Sequence, residues 1–146
     1  MPTSESLFAL ANGVALVGWL LLALAPGWRW TEQLVRSGAL SLALSVAYLA
    51  LIVVGLTSGA EGGFGSLREV RTLFGNDIVL LAGWIHYLAF DLYVGAITTR
   101  IARREGIPHV SMLPVLFLTF MFGPVGLLAF WIARSMHAKR MVEATP

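Results

Sequence analysis

The chain has 146 residues, of which 58% are hydrophobic and 12% are charged. A water-soluble domain of this length cannot bury so much apolar surface, so the composition indicates an integral membrane protein with a single membrane domain, residues 1–146. Cysteine is absent, which excludes disulfides and thiolate metal ligands, and the net charge of +2 comes from scattered Lys and Arg, which excludes a clustered nucleic-acid surface.

Four apolar segments are long enough to cross the roughly 30 Å hydrocarbon layer of a membrane, which takes about 20 helical residues. The first covers residues 7–26, and Trp28 and Trp30 follow it at the level expected for lipid headgroups. The other three segments cover residues 38–56, 78–99 and 112–133. The connection between the first and second segments is short, and so is the connection between the third and fourth. Each of these pairs is therefore predicted to form antiparallel neighbours. The expected fold is therefore an all-α, up-down four-helix bundle.

The longest connection, residues 57–77, predicts a short helix at the membrane interface. It opens with glycines and then places Ser66 three residues before Glu69, which is the capping-box spacing at the start of a helix. The apolar residues that follow fall on one helical face: Leu67, Val70, Leu73 and Phe74. A solvated turn is the alternative.

Four crossings leave the orientation in the membrane undecided. The connection 57–77 and the C-terminal tail together hold five Lys and Arg residues, and the other two connections also hold five. Because the positive-inside rule compares these numbers, it assigns neither face to the cytoplasm.

The third segment contains two ionisable residues within its apolar run, His86 and Asp91. A carboxyl group at the centre of a membrane helix costs about 2.5 to 3.5 kcal/mol on insertion scales, so Asp91 is expected to face the protein interior or a water-filled pocket. In a regular helix the two residues lie about 140° apart around the axis and about 7.5 Å apart along it. We predict that they line different edges of one cleft, and a one-residue bulge that alters the helix register is the other arrangement that could link them. The alternatives are a hydrogen bond from His86 to a neighbouring helix and purely structural pairing of Asp91.

The fourth segment is interrupted near its middle by Gly123, Pro124 and Gly126. Proline lacks an amide donor and clashes with the carbonyl four residues earlier, so the helix should kink or unwind there. Such backbone is tolerated at membrane depth only where protein or a wet cavity covers it. One interpretation is that the kink only improves helix packing. The other is that the kink opens a pocket that the third segment faces.

Two short motifs resemble the signatures of a known family. Trp84-Ile85-His86 with Asp91-Leu92-Tyr93, and then Pro124-Val125-Gly126, are similar to the W-I-H-x4-D-L-[FY] and P-V-G signatures of the abscisic-acid-deficient-four family. The resemblance implies a small membrane protein connected with conversion of the epoxy-carotenoid violaxanthin into the allenic neoxanthin. We expect this chain to be a prokaryotic-type member without a plastid-transit extension. We therefore expect a related carotenoid or other apolar lipid as substrate, in a prokaryotic inner membrane.

This resemblance implies acid–base chemistry, because opening an epoxide or shifting a double bond needs a proton delivered at one atom and removed at another. A buried carboxylic acid that keeps its proton can donate it, and a neutral imidazole can accept one. We expect Asp91 to be the acid and His86 the base or orienting group. The expected substrate-lining residues are Trp84, Tyr87, Phe90, Tyr93 and Pro124. Helix packing or lipid contact is the alternative for each aromatic residue.

Neither a metal nor a cofactor is expected from the sequence. The competing functional class is noncatalytic: a pigment-binding or assembly subunit of a larger membrane complex, or a homo-oligomer, in which Gly83, Gly95 and Gly126 let helices approach closely. In that class His86 and Asp91 specify helix pairing. A proton-coupled transporter is a third alternative, because an intramembrane acid can relay protons.

Overall fold

The computed structural model describes residues 3–143, apart from the side chains of residues 140, 142 and 143. A π-helical turn, Thr31–Arg36, connects the first two helices. The described residues contain no strand, so the predicted all-α class is confirmed. The α-helices are α1 Ser4–Leu24, α2 Ala39–Thr57, α3 Leu67–Leu73, α4 Asp77–Arg104, α5 His109–Phe122 and α6 Pro124–Glu143.

Three of the described helices, α1, α2 and α4, are long and apolar enough to cross a membrane. They correspond to the first three predicted segments. The largest difference in bounds is at the end of α4, which continues past Thr99 to Arg104. Three arginines occupy these last positions, where positive side chains interact favourably with the helix dipole. The helix stops just before Gly106, whose φ of 70° lies in the left-handed region.

The short helix α3 is present where the capping pattern predicts it. The Ser66 hydroxyl accepts a hydrogen bond from the Glu69 amide at 3.2 Å, and the Glu69 carboxylate accepts one from the Gly65 amide at 3.1 Å. Of the predicted apolar face, Leu73 is buried whereas Leu67 is 78% exposed. The helix is therefore anchored at its C-terminal end. Its location at the membrane interface stays a prediction.

The predicted fourth crossing, residues 112–133, is instead two helices, α5 and α6, which meet at Gly123. Gly123 has a φ of 42°, in the left-handed region that a side chain disfavours. Pro124 is the first residue of α6, a position where its missing amide donor costs no intrahelical hydrogen bond. The predicted kink is thus a complete break.

The two helices on either side of the break pack against each other as an antiparallel hairpin. Residues that are about equally distant from Gly123 along the chain meet across it. Gly126 lies against the backbone of Thr119, and Phe130 shares a buried cluster with Val115. Two helices that continued in one direction could not bring these pairs together.

The open end of the hairpin is joined by an ion pair. Arg134 donates hydrogen bonds to the Glu105 carboxylate at 2.7 and 3.0 Å, and these bonds hold the pKa of that carboxyl below its usual value. The α5 arm has 14 residues, which is about 21 Å of helix and shorter than the hydrocarbon layer. The α5 arm alone is therefore too short to cross the hydrocarbon layer.

The chain forms two compact units. The first unit contains the residues up to Leu16 together with Leu40–Phe90, and the second contains Val17–Ala39 with the residues from Asp91 onward. Both α1 and α4 contribute to each unit. His86 therefore belongs to the first unit and Asp91 to the second. That the whole chain acts as one membrane domain stays a prediction.

Candidate functional site

Asp91 lies at the tip of the hairpin in the second unit. A Cβ atom built on Gly123 would lie 2.7 Å from one Asp91 carboxylate oxygen and 2.9 Å from the other. The carboxylate therefore rests directly on the glycine backbone, and a larger residue at position 123 would occupy its space. Asp91 is half-buried in this position. Its side chain faces protein at the tip, which is the environment expected for an acid at membrane depth.

The backbone next to this carboxylate is the N-terminal end of α6. The amides of Gly126 and Leu127 already donate to the Gly123 carbonyl, at 3.0 and 3.3 Å. The N-terminal end of a helix carries a partial positive charge, and a partly buried anion beside it is stabilised by up to about 2 kcal/mol. Asp91 can therefore hold the hairpin tip in place, which is the structural alternative to a role in chemistry.

Trp19 and Phe120 form an aromatic wall that meets α4 at Gly95, one helical turn beyond Asp91. A Cβ atom on Gly95 would lie 2.8 Å from two Trp19 ring carbons, so the indole packs directly on the helix backbone. The Trp19 and Phe120 rings meet edge to face with centroids 5.7 Å apart. Neither ring was among the predicted site residues. The signal that could have indicated the wall is the glycine four residues after Asp91, which marks a close approach on that face.

His86 lies in the first unit, where its neighbours are aromatic. Its imidazole stacks on Phe90 with centroids 4.6 Å apart and an interplanar angle of 23°, and it meets the Tyr48 ring at 5.3 Å. The side chain is exposed apart from these rings. Tyr48 is on α2, a neighbouring helix of the kind from which a hydrogen bond to His86 was the alternative expectation. The contact found is between rings.

The predicted substrate-lining residues also divide between the units. In the first unit Trp84 donates a hydrogen bond to Asn12 at 3.3 Å, packs on Tyr87 with centroids 5.5 Å apart, and lines an open groove of about 550 Å³. In the second unit Tyr93 lies beside Gly38, and Pro124 is exposed at the start of α6. Trp84, Tyr87 and Phe90 thus accompany His86, whereas Tyr93 and Pro124 accompany Asp91.

Comparison with known proteins gives one family. Residues 6–130 match the family model described as ABA DEFICIENT 4-like. The chain is 21% identical over 141 residues to Protein ABA DEFICIENT 4, chloroplastic, of Arabidopsis thaliana, an alignment that includes 91% of this chain and 62% of that protein. The chain thus spans less than two thirds of that relative's length. No solved structure matches it. Because the family model extends from α1 through most of the hairpin, the chain belongs to the ABA DEFICIENT 4-like family.

Proposed function

We propose that this membrane protein catalyses an acid–base isomerisation of a carotenoid or related apolar lipid, with Asp91 as the proton donor. The observation that carries the proposal is the contact between the Asp91 carboxylate and the Gly123 backbone at the hairpin tip. An acid fixed by a glycine turn within apolar helices has a defined position and limited contact with bulk water. Both properties favour directed proton transfer.

The proposed step is balanced without an oxidant or reductant. A proton from Asp91 is added to an epoxide oxygen as its carbon–oxygen bond breaks, and a proton leaves a neighbouring carbon as a new double bond forms. The product is an isomer of the substrate. His86 is the proposed base or orienting residue, as its imidazole can accept a proton, and it acts from the aromatic surroundings of the first unit.

A polyene substrate needs flat apolar surface along its length. Trp84, Tyr87, Phe90, Tyr93 and Pro124 are proposed to line the path of the substrate, and the aromatic wall of Trp19 and Phe120 adds to them in the second unit. Rings of this size bury large apolar areas against a flat ligand.

One observation favours the noncatalytic alternative. Three rings on α4, those of Trp84, Phe90 and Tyr93, are 40%, 57% and 48% exposed. Exposed rings on a helix at the boundary with lipid could contact a bound pigment or a partner helix without any turnover. In that case the protein is a pigment-binding or assembly subunit.

An assay of turnover separates the two functions. The purified protein is placed in liposomes that contain violaxanthin, and the pigments are separated by chromatography and weighed by mass spectrometry. Catalysis predicts a product of unchanged mass that accumulates beyond one equivalent of protein. Liposomes with heat-unfolded protein are the control. Pigment that binds with an altered absorption spectrum but is never converted would contradict catalysis on this substrate class and support the subunit.

The hairpin also gives a proposed orientation in the membrane. With three crossings and a hairpin that returns, one side holds eight Lys and Arg residues and the other side holds only Arg68 and Arg71. The eight are Arg29, Arg36, Arg100, Arg103, Arg104, Arg134, Lys139 and Arg140. By the positive-inside rule we propose that their side is cytoplasmic, in a prokaryotic inner membrane.

This orientation is testable because the chain contains no cysteine. Single cysteines introduced at Ser135 and at Glu61, both exposed, provide one label site on each proposed side. In intact cells an impermeant maleimide should label the variant at position 61 and not the variant at position 135. The same reagent should label both after the membrane is broken. Labelling of both in intact cells, or of position 135 alone, would contradict the orientation.

A further inference from the structure

Arg36, the last residue of the π-helical turn in the second unit, is buried. The Arg36 side chain is 1% exposed, and its Nη1 donates to the Glu32 carboxylate at 3.0 Å. The other two guanidinium nitrogens, Nε and Nη2, are also buried and have no hydrogen-bond partner among the described side chains and backbone. Buried charged donors are normally satisfied, since an unmade hydrogen bond costs the full desolvation of the group.

The unpartnered nitrogens form one edge of the guanidinium. Their N–H bonds run parallel, which is the fork that binds two oxygens of a phosphate or carboxylate at once. The ion pair with Glu32 uses the nitrogen outside this edge. Arg36 is thus held in place by one partner, while the two nitrogens of its bidentate edge have no hydrogen-bond partner among the described residues.

Arg36 borders two cavities at the end of α4. Arg36 lines both a cavity of about 240 Å³ and an open cleft of about 720 Å³. The cleft is lined by Glu32, Arg36, Arg100, Arg103 and Arg104. Glu32 already accepts hydrogen bonds from Arg36 and from Arg103, the latter at 3.2 Å. The lining therefore has an excess of positive charge, which favours a phosphate group over a singly charged carboxylate.

The residues around these cavities are close in the chain to tryptophans expected at the level of lipid headgroups. The smaller cavity includes Pro26 and Gly27, which follow the end of α1, and Trp28 and Trp30 come next in the chain. These two rings are 52% and 41% exposed. Exposed tryptophans at the end of a membrane helix mark the zone where phospholipid phosphates lie.

We propose that Arg36, together with Arg100, Arg103 and Arg104, binds a phosphate group at this membrane face. The phosphate belongs either to the headgroup of an anionic phospholipid or to a soluble phosphate or diphosphate. Two of its oxygens accept from Nε and Nη2 of Arg36, and the arginines of α4 neutralise its remaining charge. The site is separate from Asp91 and does not depend on the proposed isomerisation.

The test measures binding of two probes to the full-length protein in neutral detergent. Inorganic diphosphate is titrated by calorimetry, and phosphatidylglycerol adducts are counted by native mass spectrometry. Replacing Arg36 by Gln should weaken binding of the phosphate-bearing probe at least about tenfold, because it removes a charge-assisted bidentate contact. Arg36→Lys should also weaken it, because the charge stays but the fork is lost.

Arg29→Gln is the matched control. It removes one positive charge from an exposed residue near the same chain segment, where Arg29 stacks on Trp30 at 5.1 Å, and it should leave binding within about twofold. If Arg36→Gln does not fold, Arg103→Gln replaces it, since the Arg103 side chain is 58% exposed and lines both cavities.

Each outcome of this test is decisive. Arginine-dependent binding of diphosphate supports a soluble phosphate ligand, and arginine-dependent binding of phosphatidylglycerol alone supports a headgroup. If the Arg36 variants, or Arg103→Gln in their place, bind both probes as tightly as the unmodified protein and Arg29→Gln, the site does not exist.

Discussion

Replacing Gly126 by alanine should lower the free energy of unfolding by about 3 kcal/mol, at the upper end of the usual cost of overpacking. The added methyl group would overlap the backbone nitrogen, the Cα atom and the hydroxyl of Thr119 on the opposite arm. Backbone atoms cannot rotate away as a side chain can, so the two arms of the hairpin must separate. The midpoint of thermal unfolding in detergent should fall by roughly 6 to 12 °C.

Gly13→Ala is the matched control for this experiment. Gly13 also lies within a helix, but a Cβ atom there would have no neighbour within 4 Å. Alanine should stabilise that helix by about 0.5 to 1 kcal/mol, because it restricts the unfolded chain more than glycine does. Equal unfolding midpoints for the two variants would mean that the arms of the hairpin do not meet at Gly126.

The sequence alone predicted most of the helices, because their signals are local. Hydropathy marked the three helices that are long enough to cross a membrane, and the spacing of Ser66 and Glu69 marked the start of α3. The break at Gly123 was also predictable from a proline and a glycine. The reversal of direction after it was not. A kink and a reversal use the same residue types, and only the packing of Gly126 on Thr119 and of Phe130 near Val115 distinguishes them.

The candidate site was predictable to a smaller extent. His86 and Asp91 stand out because ionisable residues are rare in apolar segments. Phe90, which stacks on His86, is one turn later on the same helix, but Tyr48 and Gly123 come from elsewhere in the chain. The partner of Asp91 is a glycine 32 positions later, which no periodicity indicates. Arg36 was not recognised either. Its side chain is buried at the end of the π-helical turn, and no motif in the sequence indicates that turn.

Replacing Asp91 by asparagine should reduce the rate of isomerisation by about 10²- to 10⁴-fold, which is the usual contribution of general acid–base catalysis. Asparagine has nearly the same shape, so it can occupy the space beside Gly123, but it has no carboxyl proton to donate. The rate is measured in the liposome assay with violaxanthin, at matched protein content. The unfolding midpoint of each preparation is recorded alongside, because Asp91 also lies next to the N-terminal end of α6.

The paired measurements separate chemistry from structure. In the structural alternative Asp91 is an anion beside the helix end, and losing its charge should cost no more than about 2 kcal/mol of stability. A folded but inactive variant therefore assigns Asp91 to the proton transfer. Glu61→Gln is the control, since it removes one carboxylate from an exposed loop position and should leave the rate unchanged. Turnover that survives in Asp91→Asn would remove the acid from the proposed mechanism. A rate that falls only in proportion to the fraction of unfolded protein would instead assign Asp91 to holding the hairpin tip.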